Sequence, residues 1–251
     1  MMRERVVVSG LMLLSVLACA GGAAAQTTWS DRARISINGG LQQPSTTFTS
    51  TAHPIVYDQT ATVTTSYNIP TGAFFDGDVI LRTSGGFGVD IGVSSFRKSQ
   101  SAPVAGSIPS PVASNTLRPF SGTSGTLDRN EIIGRIDAAY VVSAGIVDLA
   151  VSAGPSFFTV NQDLVGNVTF AESPTNDRVA FSGAAVTTAS ATKIGFNAGL
   201  DVGIKLSKYV GVGGIVRYSH ASLSMPLANT APDVTMDAGG LHVGGGVRLY
   251  F

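Results

Sequence analysis

The chain is poor in charge, cysteine, histidine and tryptophan. Only 13% of its 251 residues are charged, roughly half the share usual in soluble domains. Its single cysteine, Cys19, excludes an internal disulfide framework and any cysteine-rich zinc site. The three histidines, His53, His220 and His242, form no metal-ligand spacing, so no metal and no cofactor is expected. Sixteen basic residues balance sixteen acidic ones. That balance leaves neither a basic stripe for nucleic acid nor an acidic solvated tail. Beyond residue 25 no apolar run approaches the roughly 20 residues of a membrane-spanning helix. What is abundant is glycine, with 30 residues, and apolar residues, at 44%.

Part of that apolar content is an address. Arg3 and Arg5 precede an apolar run from Val6 to Ala20, and small residues lead to Ala23-Ala24-Ala25-Gln26. A positive start, an apolar centre and an A-x-A site make residues 1–25 a cleavable secretory signal peptide. Ser9, Gly10, Gly21 and Gly22 interrupt the run and argue against a membrane anchor. A rival cut lies at Val16-Leu17-Ala18-Cys19, which is similar to a bacterial lipobox whose cysteine is lipidated. Cleavage after Ala25 is favoured, because the A-x-A site is followed directly by a polar residue. The mature chain then has no cysteine and one more acidic than basic residue.

From residue 26 onward the chain alternates with a period of two. Ile194, Phe196, Ala198, Leu200, Val202, Ile204 and Leu206 share one face; Gly195, Asn197, Gly199, Asp201, Gly203 and Lys205 share the other. Thirteen alternating residues exceed the usual soluble strand of about 5–6 and suit a tilted membrane-spanning strand of about 9–11. Leu241, Val243, Val247, Leu249 and Phe251 repeat the pattern against His242, Arg248 and Tyr250. Further runs lie at 34–41, 75–82, 87–94, 134–140, 147–154 and 210–218, so eight strands are predicted. Tight links at Thr83-Ser84-Gly85, Ser143-Ala144-Gly145 and Ser207-Lys208-Tyr209 alternate with long Ser/Thr/Pro/Gly-rich segments near 47–60, 99–123, 163–190 and 224–234. Short turns on one side and long loops on the other are the plan of a transmembrane barrel. The fold class is therefore all-β: an eight-stranded antiparallel up-and-down transmembrane barrel over residues 26–251.

The charges choose the inner face. Arg34, Asp76, Asp78, Arg82, Asp90, Arg135, Asp137, Asp148, Asp201, Lys205, Arg217 and Arg248 all fall opposite the apolar phase. A ligand cavity of the lipocalin kind would bury them in hydrocarbon at prohibitive cost, so they face either bulk water or a polar lumen. With Glu131 and Lys193 added, seven positive residues oppose seven negative ones. An eight-stranded interior is just wide enough for side chains to fill it, and this balance predicts a paired network that plugs it. A narrow pore for ions or small solutes is the alternative. Among outward-phase aromatics, Phe87, Tyr140 and Phe251 lie near turn ends, and Phe157, Phe196 and Tyr218 near loop ends. Val147 to Phe157 covers roughly 25 Å at the tilt of such strands, so two interfacial girdles are expected.

With its leader, eight alternating strands and terminal Leu249-Tyr250-Phe251, the chain resembles the small bacterial outer-membrane β-barrel proteins of the OmpA-like or OmpX-like superfamily. The resemblance implies residence in the bacterial outer membrane, among lipid and lipopolysaccharide. It also implies that Val247, Leu249 and Phe251 form the signal read by the barrel-assembly machinery. A monomer is expected, with no cell-wall-binding domain after Phe251. Function then falls to the outer loops, as a structural or surface-contact role toward a ligand the sequence does not name. Asn167-Val168-Thr169 in one such loop fits an N-x-S/T sequon.

One enzymatic reading is set beside this. His220-Ala221-Ser222 puts His and Ser on one face of a strand, similar to the H-x-S arrangement of outer-membrane lipid A deacylases. The Asn that follows Ser in that family is Leu223 here, and only Asp233 or Asp237 stands near as an orienting acid. No catalytic residue is assigned on this basis.

Overall fold

Strands rich in β-branched and aromatic residues on one phase, with glycine and charge on the other, fold here into one closed sheet and a smaller outer one. The computed structural model describes residues 29–44, 47–113, 115–173, 178–225 and 233–251. The expected signal peptide and Cys19 lie outside the described residues. In chain order the strands are β1 Ala33–Pro44, β2 Thr47–Ala52, β3 Ile55–Val56, β4 Gln59–Thr60, β5 Thr62–Asn68, β6 Gly72–Ser84 and β7 Phe87–Gln100. They continue as β8 Pro103–Pro109, β9 Leu117–Thr123, β10 Leu127–Ala144, β11 Val147–Ser173, β12 Arg178–Lys205, β13 Val210–Met225 and β14 Val234–Tyr250.

Eight of these close a barrel in the order β1-β14-β13-β12-β11-β10-β7-β6, each antiparallel to its neighbours. Closure leaves no free edge at membrane depth, which lipid demands, because no water is there to satisfy an unpaired backbone group. All eight predicted strands are present. The turns fall at Gly85, Gly145 and residues 206–209, and both glycines take positive φ. Ile37, Phe75, Ile91, Ile136, Val151, Ile194, Val212 and Val247 are exposed on the outer wall. Such a continuous apolar exterior is stable only against lipid, and the structure is that of an outer-membrane-type transmembrane barrel. Phe87 lies 4.8 Å from Tyr140 at the turn end, and Phe196 lies 6.3 Å from Tyr218 at the loop end.

The segments expected as loops near 47–60, 99–123 and 163–190 are largely strand. The first two supply β2, β8 and β9, which with β5 just beyond the first make a four-stranded sheet standing outside the barrel, plus the small β3–β4 hairpin. The third is absorbed into β11 and β12, which pair far beyond the barrel rim. The physical reason is packing. Val165, Val168 and Phe170 of β11 pack together with Phe48, Val63, Val104, Ile108 and Phe120 of the outer sheet in one apolar core. That core continues down the barrel mouth through Leu127, Ile133, Phe158, Leu223, Met225 and Met236. The loops are thus a folded cap.

The barrel seam depends on two glycines. Gly40 of β1 faces Gly244 of β14, and a side chain on either would run into the partner backbone and the Phe74 ring. Overpacking of this kind costs about 1–3 kcal/mol. Gly40→Val is expected to reduce the fraction migrating as the compact, heat-modifiable form on SDS gels. Gly134→Val, where a Cβ meets open space, is expected to leave that fraction unchanged.

Candidate functional site

Two clusters of polar side chains invite a functional reading: the barrel interior and the places where the outer segments meet. Each inward charge of the interior sits on the strand phase opposite lipid, where a buried charge calls for a partner of opposite sign. Asp76 of β6 is the node. Arg135 Nη1 from β10 and Arg217 Nη1 from β13 both reach its Oδ2, at 2.6 and 2.8 Å, and Asn38 Nδ2 donates to Oδ1 at 3.2 Å. Arg135 also faces Asp78 at 3.3 Å, Asp137 at 3.7 Å and Asp90 at 3.8 Å. Asn197 donates to Asp137 at 2.7 Å and ties it to Ser156.

Two further groups flank the node. Toward the turns, Arg248 and Arg34 meet Asp201 at 2.8 and 3.3 Å, and Arg248 also donates to Asn38 at 2.7 Å. Lys205 pairs with Asp31 at 2.6 Å and Asp148 at 3.6 Å while lying over the Tyr250 ring. Toward the cap, Arg129 meets Glu131 at 2.6 Å, and Glu131 accepts from Gln42 and from the Gly239 amide. Apolar groups close both ends. Trp29 packs with Ile80, Ala139, Val141 and Ala150 near the turns, and the cap core fills the mouth.

Of the twelve predicted inner-wall charges, eleven lie in this interior or at its lower mouth. Arg82 does not: it is exposed at the turn end of β6 and donates to the Trp29 carbonyl at 2.6 Å. Lys193 is likewise exposed, on the part of β12 beyond its pairing with β13. Arg129 and Asp31 were not in the predicted set. Arg129 shares the phase of Glu131 and Ile133, and following that phase two residues earlier would have found it. The equal count is therefore corrected: among the described residues six cations face eight carboxylates. Val247, Leu249 and Phe251 take the lipid phase of the seam strand, and the Phe251 carbonyl accepts from the Arg32 amide at 2.6 Å.

The outer cluster joins three separate chain segments. Tyr57, at the β3–β4 turn, donates to Glu172 of β11 at 2.7 Å, and Arg118 of β9 pairs with the same carboxylate at 2.8 Å. The hydrogen bond from Tyr57, assisted by Arg118, holds the Glu172 carboxyl below its usual range, and the same bond pushes the Tyr57 phenol up.

His220 and Ser222 lie on the outer phase at the barrel rim. His220 Nδ1 has no hydrogen-bond partner among the described residues. Asp233 accepts from Ser224, not from His220, at 3.2 Å. Asp237 is the cross-strand neighbour of Ser222, and Leu223 points into the apolar core.

No protein-family model matches the chain, and no curated protein is similar to it in sequence. Among solved structures the chain is similar to Neisserial surface protein A, with 12% identity over 87% of this chain and 97% of the other, at a TM-score of 0.39. It is similar to Ail, the attachment invasion locus protein of Yersinia pestis, with 11% identity over 86% and 99% and a TM-score of 0.35. The outer membrane protease OmpT from Escherichia coli gives 7% identity over 90% and 100%, with a TM-score of 0.34.

Two outcomes are expected. Removing Arg135 as Arg135→Met strands several buried carboxylates, and breaking a buried pair costs about 3–5 kcal/mol. Urea unfolding in lipid should show that loss, whereas Arg82→Met should change little. The second concerns pH. A depressed Glu172 carboxyl contributes stability above the unfolded value near 4.3, lost as pH falls through the folded value. A raised Tyr57 phenol contributes below about 10, and that part is lost as pH rises through its folded value. Limited proteolysis should therefore find the cap most resistant between about pH 5 and 9, with Glu172→Gln flattening the acid limb.

Proposed function

We propose that the chain is an outer-membrane barrel of the OmpA-like or OmpX-like superfamily whose role is structural or surface contact, carried by its outer cap. The barrel is the anchor and its interior a plug. The observation that supports this reading is the succession of buried side chains along the lumen. Trp29 and its neighbours occupy the turn end, ion pairs around Asp76 and Asp201 the middle, and the apolar core the mouth. An eight-stranded interior is just wide enough for side chains to fill it, and this content supports the plug. The cap is then the part available to a partner. It is held to the barrel by shared core residues and by the Tyr57–Glu172–Arg118 contact.

The protein is taken as a monomer in lipid and lipopolysaccharide. Val247, Leu249 and Phe251 are proposed as its signal to the assembly machinery, and residues 1–25 as its cleaved leader. Catalysis at His220 and Ser222 is not part of this reading. Among the described residues His220 Nδ1 meets no carboxylate of the kind that orients a serine nucleophile's base.

A narrow pore is the competing reading, and the surplus of carboxylates on the inner wall gives it a definite form, namely cation selectivity. Planar-bilayer recording decides between them. Purified protein is expected to give no steady single-channel steps. Reproducible steps with a cation-selective reversal potential would contradict the plug.

A further inference from the structure

We propose that the cap carries a binding site for a single neutral sugar residue, in the cavity between the β2–β5 hairpin and the outer part of β11. The inference deepens the surface-contact reading above and rests on it. The cavity holds about 300 Å³, the lower end of the range for small-molecule pockets, which suits one monosaccharide.

Its origin lies in the register of β11. Val165 pairs with Val186 and Asn167 with Ala185, so Gly166 is an extra residue with no partner across the ladder. A bulge of this kind bends the strand and leaves backbone polar groups unpaired. The Tyr67 hydroxyl accepts from the Val165 amide at 2.9 Å and so holds the bulge against the outer sheet.

The lining selects the ligand class. Elsewhere the inner face of the outer sheet carries Phe48, Val104, Ile108 and Phe120, with Arg118 beside Phe120 on β9. At the cavity it changes: Ser50 and Thr65 are both buried and are direct cross-strand partners, which sets two hydroxyls side by side. Across from them, Asn167 commits its Oδ1 to the Val168 amide at 2.9 Å and leaves its NH2 to donate. Ala52, Val63 and Val168 supply the apolar remainder, and among the described residues no charged one lines the space. An ionic ligand would find no counter-charge there. Ser50 Oγ meets the Tyr67 hydroxyl at 3.4 Å and keeps further hydrogen-bonding capacity, which a purely hydrocarbon ligand would leave unmet. A pyranose offers hydroxyls on its edge and C–H groups on its face, and so meets both requirements.

The test is saturation-transfer NMR on the full-length refolded protein in detergent micelles, with empty micelles as background. The probes are the methyl glycosides of glucose, galactose, mannose and N-acetylglucosamine, with methyl glucuronide as the charged comparison. At least one neutral glycoside is expected to receive saturation. Ala52→Leu, which fills the cavity, should weaken that binding at least tenfold. Thr65→Val, which keeps the shape and removes one hydroxyl, should weaken it several-fold. Heat-modifiable migration confirms that each variant is folded. Absence of transfer to all four neutral probes overturns the proposal, as does binding unchanged in both variants or glucuronide binding as well as the neutral sugars. Conductance of the same samples reads the sealed barrel independently, so a silent bilayer with no sugar binding removes this inference and leaves the plug intact.

Discussion

In hydrocarbon a sheet must close, because an edge strand would leave its amides and carbonyls with nothing to bond. Closure with eight strands then fixes an interior that side chains must fill. Everything else in this barrel follows from that constraint. The outward phase has to be apolar, so polar residues are confined inward, and the inward charges are buried. Arg135 of β10 and Arg217 of β13 therefore converge on one carboxylate, Asp76, while Arg34 and Arg248 converge on Asp201. The node links β1, β6, β10 and β13 through side chains, across the lumen instead of around it. A buried pair of this sort is weak support for stability as such. Its consequence here is specificity of closure, since a strand shifted by one residue would turn its charges to lipid.

The same alternation continues past the membrane, where its meaning changes. Above the rim the outward phase meets water and the inward phase meets the outer sheet, so Thr and Ser replace the lipid-facing aliphatics on β11 and β12. Phe120 of β9 packs edge-on against Phe170 of β11 at 4.9 Å, and Phe48 stacks on Tyr67 at 4.5 Å. These rings bind segments far apart in sequence into one cap. The salt bridge between Arg118 and Glu172 sits at its periphery, where such pairs are worth little singly but set which segments meet.

The barrel was legible because lipid imposes a strict code. Ile194 to Leu206 and Leu241 to Phe251 alternate without error, since every second residue faces hydrocarbon. The cap was not legible, because a Thr/Ser/Ala-rich stretch such as Thr47–Ala52 or 183–192 satisfies loop and strand alike. Only contact with residues distant in sequence decides between them. The misplacement of Arg82 and Lys193 has a related cause. Phase gives the side of the wall, but not where the wall ends, and both residues stand where neighbouring strands stop or part. Arg129 was missed for the converse reason, since β10 begins earlier than its apolar run. The outer cavity depends on one extra residue, Gly166, whose effect on register no local pattern announces.

A plugged lumen requires the ion pairs at its centre to act as a coupled unit. A double-mutant cycle on Asp76→Asn and Arg135→Met, read by reversible urea unfolding in lipid, measures that coupling directly. Close buried charge pairs show coupling energies of about 1.5 kcal/mol or more, and a value in that range, with the double variant recovering part of each single loss, is predicted. Strictly additive losses would mean that the two side chains do not sense each other, and the plug would have no ionic basis.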